Sequence, residues 1–277
     1  MRFSIITICY NPGPELKTAM ESVLAQQDAS IEYILVDGGS TDGTVERIKS
    51  YGNRISTFVS EPDKGLYDAL NKGVKLATGD VIGFVHADDL YPSNDVLATL
   101  AEAFAAGADA VYGDLEYVDR ADTARVIRYW KSGPYHPSRL KYGWMPPHPT
   151  LFLKREFYEQ ARLPNGQYFD TSFTCAADYD FMMRLLSQQT ISVAYLPAVL
   201  VKMRVGGVSN RSLKHMIRKS REDYFAMKRN HIGGLGTLIA KNLSKLPQLL
   251  ARYNPIEVKA RQVSHYRSSK SKISSSE

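Results

Sequence analysis

The sequence predicts an α/β fold built on a mostly parallel sheet, and three observations carry that prediction. Short apolar runs of strand length alternate with stretches of helical periodicity from the N-terminus as far as Asp89. The runs are nearly continuous in apolarity, as in strands covered on both faces. Polar residues collect just after each run, where the carboxyl ends of parallel strands share one edge and open α/β sheets bind ligands.

Residues 3–10, FSIITICY, form a β-branched and aromatic run that predicts the first strand. Asn11-Pro12-Gly13-Pro14 closes it in a turn, and from Glu15 the residues Leu16, Ala19, Met20, Val23 and Leu24 recur at helical spacing. A second strand over 33–36 ends at Asp37. It opens into Gly38-Gly39-Ser40-Thr41-Asp42-Gly43-Thr44, where Asp42 or Thr41 can cap the next helix. A third strand over 55–59 leads into Glu61-Pro62-Asp63-Lys64-Gly65 and a helix reaching Leu76. The fourth run, 81–85, ends near two adjacent carboxylates, Asp88 and Asp89. Two neighbouring acids resist burial, so they are either solvated in a turn or held by a cation or polar partners.

Composition narrows the function classes. With 277 residues, 44% hydrophobic and 23% charged, the chain can bury a full core and has the make-up of an ordinary globular protein. It holds no run of 18 apolar residues and no signal-peptide layout, so neither spanning nor secretion is expected and a cytoplasmic place is. Cys9 and Cys175 lie far apart without metal-ligand spacing and read as small buried hydrophobes. Charge is unevenly spread: from Lys202 onward there are 17 Lys and Arg against 4 Asp and Glu, and before it 18 against 25. A basic tail on a mildly acidic body predicts an anionic partner surface; charge alone allows membrane or nucleic acid.

The turn after the first strand reads CYNPGP, with prolines where a dinucleotide fingerprint needs glycines, and a P-loop is missing as well. Instead Thr7 with Asn11, Asp37, Asp63, and Asp88 with Asp89 line up at successive strand ends. Such a row suits a nucleotide whose base and ribose are held by hydrogen bonds and whose phosphates meet the protein through a divalent cation.

Several pieces, in order, resemble the inverting glycosyltransferases of family 2: Tyr10-Asn11, VDGGSTDGT, EPDKGLYDALNKG, ATGDVIGFVHADD, His148-Pro149-Thr150, ADYDFMMRL from Ala177, and VKMRVGGVS from Val201. The resemblance covers roughly residues 3–210 and implies a GT-A fold and a nucleotide-sugar donor. It places Thr7, Tyr10 and Asn11 at the nucleoside pocket, Asp37 on the base or ribose with Ser40 and Asp42 beside it, and Lys64, Gly65 and Asn71 along the nucleotide or donor sugar. Turn and cap chemistry is the competing account of the glycines and of Asn71. The family's Asp-x-Asp metal motif reads His86-Ala87-Asp88 here, followed by Asp89. That leaves Asp88 as the preferred Mn²⁺ or Mg²⁺ ligand with Asp89 next to it, while His86 either touches ribose or phosphate, ligates a softer ion, or packs. The family's acidic pair reads Ala177-Asp178, which keeps the base position at Asp178 and loses its neighbour. Asp180 is a poorer candidate. Arg204 can pair with the diphosphate, and His148 is either an acceptor or diphosphate contact or a satisfied loop histidine. Trp144, with Tyr135, His136 and Tyr142, is either an acceptor platform or core.

Taken together, the sequence predicts a GT-A domain over 1–210, a basic amphipathic helical tail over 211–263 with a kink at Pro247, and a disordered end over 264–277. In the tail, apolar residues from Leu235 to Leu250 lie broadly opposite Lys241, Lys245 and Arg252. The expected reaction moves one sugar from a UDP-sugar to a lipid-linked glycan acceptor of surface polysaccharide biosynthesis. The tail would dock on the anionic inner face of the cytoplasmic membrane; nucleic acid is disfavoured because the tail's aromatics are few and scattered. The Gln-x-x-Arg-Trp motif of processive synthases is absent, which favours one transfer per visit. A binding protein that kept the fold and lost catalysis is the alternative, kept open by the missing acids at 86 and 177.

Overall fold

A computed structural model describes residues 1–187, 190–206 and 213–243. The chain opens β1 (Arg2–Cys9), α1 (Glu15–Leu24), β2 (Ser30–Asp37), α2 (Thr44–Lys49), β3 (Thr57–Ser60), α3 (Leu66–Leu76) and β4 (Val81–Phe84). It continues β5 (Asp89–Leu90), α4 (Val96–Ala105), β6 (Ala110–Val118), β7 (Val126–Trp130), β8 (Phe152–Lys154), α5 (Arg155–Gln160), α6 (Ala177–Leu186) and β9 (Val193–Arg204). Two further helices, α7 (Leu213–Arg229) and α8 (Leu235–Leu243), follow. The strands form one sheet in the order β3-β2-β1-β4-β8-β6-β9-β5, with β7 beside β6.

The first four strands are parallel, as their continuous apolarity predicts. Successive residues alternate between two cores: Ile6, Ile8, Ile34, Val36 and Phe84 face α3 and α6, whereas Phe3, Ile5, Tyr33, Leu35 and Val85 face α1 and α4. Helix α3 lies close on β1 because of Gly73, where a Cβ would sit 2.5 Å from Ile6 Cγ2. The second half of the sheet is mixed. β6 runs parallel to β9, while β4–β8, β6–β8, β6–β7 and β5–β9 are antiparallel. The short β5 pairs Asp89 with Met203, so β9 returns to the loop that carries Asp88.

Side chains bridge the boundary expected at residue 210. Ala226 and Met227 of α7 are fully buried, and Asp180 of α6 is enclosed by Arg184, Arg229 and Asn230. Removing one partner from a buried ion pair costs about 3–5 kcal/mol, so this contact fixes α7 on the domain. Both carboxyl oxygens of Asp180 are thereby committed to this network. In α8, Lys241 and the exposed apolar residues stand on opposite faces, with Lys241 on the inner one. Lys241 is buried, 2.8 Å from Asp223 and over the Tyr179 ring, while Leu235, Ile239 and Leu243 face outward. Pro247, the apolar positions beyond Leu243, Lys245, Arg252 and the segment 264–277 lie outside the described residues.

Candidate active site

Because β3, β2, β1 and β4 run parallel side by side, the loops after them open on one edge. In the first loop the Tyr10 ring is exposed, and Asn11 takes a left-handed backbone with φ of 44°. Few side-chain-bearing residues tolerate that conformation; asparagine is one. Asn11 donates its amide to Ser40 Oγ (2.8 Å) and accepts the Thr41 N–H at Oδ1 (3.0 Å), tying the first loop to the second. Thr7 is fully buried, donates to the Val85 carbonyl (2.7 Å) and shares a hydrogen bond with the Tyr33 hydroxyl (3.0 Å). It therefore fixes the floor of the site.

Asp37 organises the second loop. One oxygen accepts the amides of Gly39 (3.1 Å) and Ser40 (2.9 Å) and the Ser60 hydroxyl (2.7 Å); the other accepts from Ser40 Oγ and, weakly, Cys9 Sγ. Burial alone would raise its carboxyl, but the hydrogen bonds from Ser40 and Ser60 prevail and hold it below the ordinary range. Asp37→Ala strands several of these donors in a buried place and is expected to destabilise the fold by about 2–4 kcal/mol at pH 7. A group with a depressed native pKa stabilises above its unfolded value and ceases to as pH falls through the native one. Urea melts should accordingly show the gap between wild type and variant shrinking in acid. Exposed Asp42 accepts the Thr44 amide (3.1 Å) and hydroxyl, so it satisfies the start of α2, although the formal cap residue is left-handed Gly43.

The third loop reaches the second at Gly38, where a Cβ would lie 2.3 Å from Asp63 Oδ2 and would push that carboxylate aside. Asp63 also accepts the Gly65 amide (2.8 Å), and Gly65 starts α3 with φ of 112°. Lys64 is exposed beside it. Asn71 is buried and committed elsewhere. It donates to the Phe169 carbonyl (2.7 Å) and accepts the amides of Tyr168 (2.8 Å) and Phe169 (3.0 Å), clamping that segment over α3.

The fourth loop carries His86, Asp88 and Asp89. Burial pushes the His86 imidazole down to about 4, with His148 adding to the effect and Asp178 opposing it, so His86 is neutral at pH 7. Its Nδ1 is buried without a hydrogen-bond partner among the described residues. Asp88 is half-buried and its backbone carbonyl accepts from Arg204 Nη1 (2.8 Å). Arg204 also donates to the Arg120 carbonyl (3.1 Å), so its guanidinium braces this loop. Asp89 is buried with both carboxyl oxygens unpaired among the described residues, and burial, reinforced by the charge of Asp88 against that of Arg204, pushes its carboxyl well above the ordinary range.

Among the described residues no cluster of three His, Cys, Asp or Glu side chains can cage a metal. A Mg²⁺ or Mn²⁺ shared with substrate phosphates needs only one or two protein carboxylates. Asp88 fits that requirement; Asp89, held towards the neutral acid, fits it poorly.

Asp178 opens α6 and reaches the same edge. The Tyr67 hydroxyl, in the first turn of α3, donates to its Oδ1 (2.9 Å). Burial would raise this carboxyl, yet His148, Lys219, the Tyr67 hydroxyl and the Tyr179 amide together hold it below the ordinary range. Burial keeps His148 itself neutral at pH 7, so the cation serving Asp178 there is Lys219. The His148 ring lies 5.3 Å from Phe84 and 6.0 Å from His86, with both nitrogens buried and unpaired among the described residues. Trp144 stands apart. Its Nε1 donates to the Ser132 carbonyl (2.9 Å) and its ring packs on Tyr112 and Tyr135, so it belongs with the core.

The structure thus brings His86, His148 and Asp178 together, with Asp88 two residues beyond His86 on the same loop. Sequence reasoning missed Tyr67 as the hydrogen-bond partner of Asp178 and Lys219 as a positive charge acting on it. Tyr67 lies within EPDKGLYDALNKG, but nothing local in that stretch signals a bond to a residue 111 positions away.

A family model described as Glycosyl transferase family 2 matches residues 4–178. A PGL/p-HBAD biosynthesis glycosyltransferase of Mycobacterium bovis (strain BCG / Pasteur 1173P2) is 31% identical over 214 residues, 75% of this chain and 79% of the relative. Among solved structures, S. aureus TarS 1-349 in complex with UDP-GlcNAc superposes with a TM-score of 0.61 at 19% identity over 83% of this chain; the chain spans 65% of that protein's length. The mannosyltransferase PcManGT from Pyrobaculum calidifontis, in complex with GDP-Man and Mn²⁺, matches over 96% of this chain and 79% of its own, with a TM-score of 0.55 and 19% identity. At these identities the structural matches speak to the GT-A fold.

Proposed function

The chain belongs to glycosyl transferase family 2, and from that premise we propose that it moves one sugar from a UDP-sugar to a hydroxyl of a lipid-linked glycan, inverting the anomeric centre. The observation that carries this reading is Asp178: a carboxylate fixed by the Tyr67 hydroxyl, kept ionised, and placed beside His148 and the Asp88 loop. An ionised carboxylate with one oxygen fixed can take the proton of an attacking hydroxyl with the other. Attack from the face opposite the diphosphate inverts the configuration. The exposed Tyr10 ring and the loop shaped by Asp37, Asn11 and Ser40 present the nucleoside surface, with Lys64 at its margin. Asp88 would hold Mn²⁺ or Mg²⁺, which supplies Lewis-acid stabilisation of the charge on the departing diphosphate. Neutral His86 stands where the family carries an acid, which removes one negative charge beside the phosphates.

UDP is supported by the TarS complex and the metal by PcManGT, whose GDP-Man makes a GDP-sugar the second reading. No helix among the described residues is long and apolar enough to cross a membrane. The basic tail carries the charge for an anionic one, on the inner face of the cytoplasmic membrane. Release of nucleoside diphosphate, measured across UDP- and GDP-sugars with and without Mn²⁺, tests the proposal. Turnover of a UDP-sugar is expected. Tight donor binding without release under any condition would instead favour a binding protein that has lost catalysis.

A further inference from the structure

Helix α7 sorts its charges by face. Its two acids, Glu222 and Asp223, both turn inward: Asp223 is buried against Lys241, and the Glu222 carboxylate accepts the amides of Thr174 (3.0 Å) and Cys175 (2.7 Å). Those amides belong to the turn that leads into α6 and Asp178. The outward charges Arg218, Arg221 and Lys228 are all positive and exposed. Among them stand Met216, Ile217 and Phe225, each more than half exposed, and α8 adds Leu235, Ile239 and Leu243. Six of the eleven large hydrophobic side chains exposed among the described residues lie on these two helices. That concentration marks a surface built to be covered. Between the helices runs a groove of about 490 Å³ lined by Met216, Ile217, Tyr224, Phe225, Leu235 and Leu238.

We propose that this face of α7 and α8 is the seat of the enzyme on an anionic bilayer, and that the acceptor hydroxyl reaches Asp178 from the membrane side. The assignment of the acceptor rests on the lipid-linked reading of the reaction. Apolar side chains interleaved with cations alone match an interface of acyl chains below anionic headgroups. The sequence beyond Leu243 adds 7 Lys and Arg against 2 acids, continuing the same charge. The geometry gives the seat a consequence for the reaction. A helix with its side chains is about 10–12 Å thick, and α7 touches the turn before Asp178 with one face and offers its apolar residues with the other. A lipid-borne sugar therefore has only about one helix diameter to cross between headgroup and base.

The test uses the full chain, without donor or acceptor, and vesicles of phosphatidylcholine alone or mixed with phosphatidylglycerol. Co-sedimentation is expected with the mixed vesicles at low salt, little with the neutral ones, and less as salt screens the charges. Phe225→Asp is expected to weaken partitioning at least tenfold. Arg221→Glu should weaken it about fivefold or more, from loss of one surface cation. Thermal melts and UDP binding of both variants should match wild type, and Arg221→Glu carries the test if Phe225→Asp misfolds. The proposal is overturned if wild type ignores phosphatidylglycerol vesicles at low salt, or if both variants bind them like wild type. It is equally overturned if sedimentation shows two chains joined through this face. Vesicle binding without turnover of any donor would remove the transferase reading and leave the docking surface standing, whereas turnover without vesicle binding would do the reverse.

Discussion

Replacing Asp88 with alanine is expected to reduce sugar transfer by roughly 10³-fold or more while leaving the fold intact. The reason lies in how this residue is held. Its backbone is fixed twice, by Arg204 on its own carbonyl and by the pairing of Asp89 with Met203, so losing the side chain leaves the loop in place. Its carboxylate makes no hydrogen bond among the described residues, so no internal donor is stranded. What is lost is the carboxylate on this loop best suited to a divalent cation, since His86 is neutral and Asp89 is pushed towards its neutral form. Calorimetric titration with UDP, with and without Mn²⁺, separates the effects: the metal-dependent part of binding should vanish and the metal-independent part persist. Unaltered Mn²⁺-dependent binding in a folded Asp88→Ala variant would move the metal to another group. Asp88→Asn should fall almost as far, because an amide keeps the shape and loses the charge.

Much of the fold was legible because its first half is simple. Residues 3–10, 33–36 and 81–85 are apolar on both faces, and strands buried that way announce themselves by continuity. The third strand sits at the edge of the sheet, less buried, and its bounds shifted from 55–59 to Thr57–Ser60. The second half was harder to read. Its antiparallel insertions and the β6–β9 pairing join segments far apart in the chain, and no local periodicity encodes such partners. The same limit applies to the site. Residue types at strand ends pointed to the nucleotide edge, but not to which side chains the protein uses up itself. Asn71 and Thr7 are hydrogen-bonded into the scaffold, Asp37 shapes its own loop, Arg204 braces the Asp88 backbone, and Trp144 joins the core. The inward orientation of Lys241 has a related cause. Helical periodicity shows that α8 has two unlike faces, but a buried acid on another helix, Asp223, decides which one turns inward.

Asp178→Asn is expected to bind UDP as wild type does and to lose transfer by roughly 10² to 10⁴-fold, the usual worth of a positioned base. The side chain acts on the acceptor, so the loss should appear in kcat and not in donor affinity. Near-normal transfer by a folded variant would exclude Asp178 as the base, and Asp180 cannot replace it, being enclosed by Arg184, Arg229 and Asn230. The pH profile adds a second reading. A base works deprotonated, so activity falls as pH drops through its pKa. Because Asp178 is held below the ordinary carboxylate range, the acid limb should lie well below neutrality and transfer should be flat around pH 7. Tyr67→Phe removes one hydrogen bond to the charged form while keeping the ring that packs on Phe169. Its acid limb should move up by about one pH unit, with only a modest loss of rate at pH 7, where the carboxylate stays ionised. An unmoved limb in Tyr67→Phe would show that the titration belongs to another group, whatever the rate of Asp178→Asn.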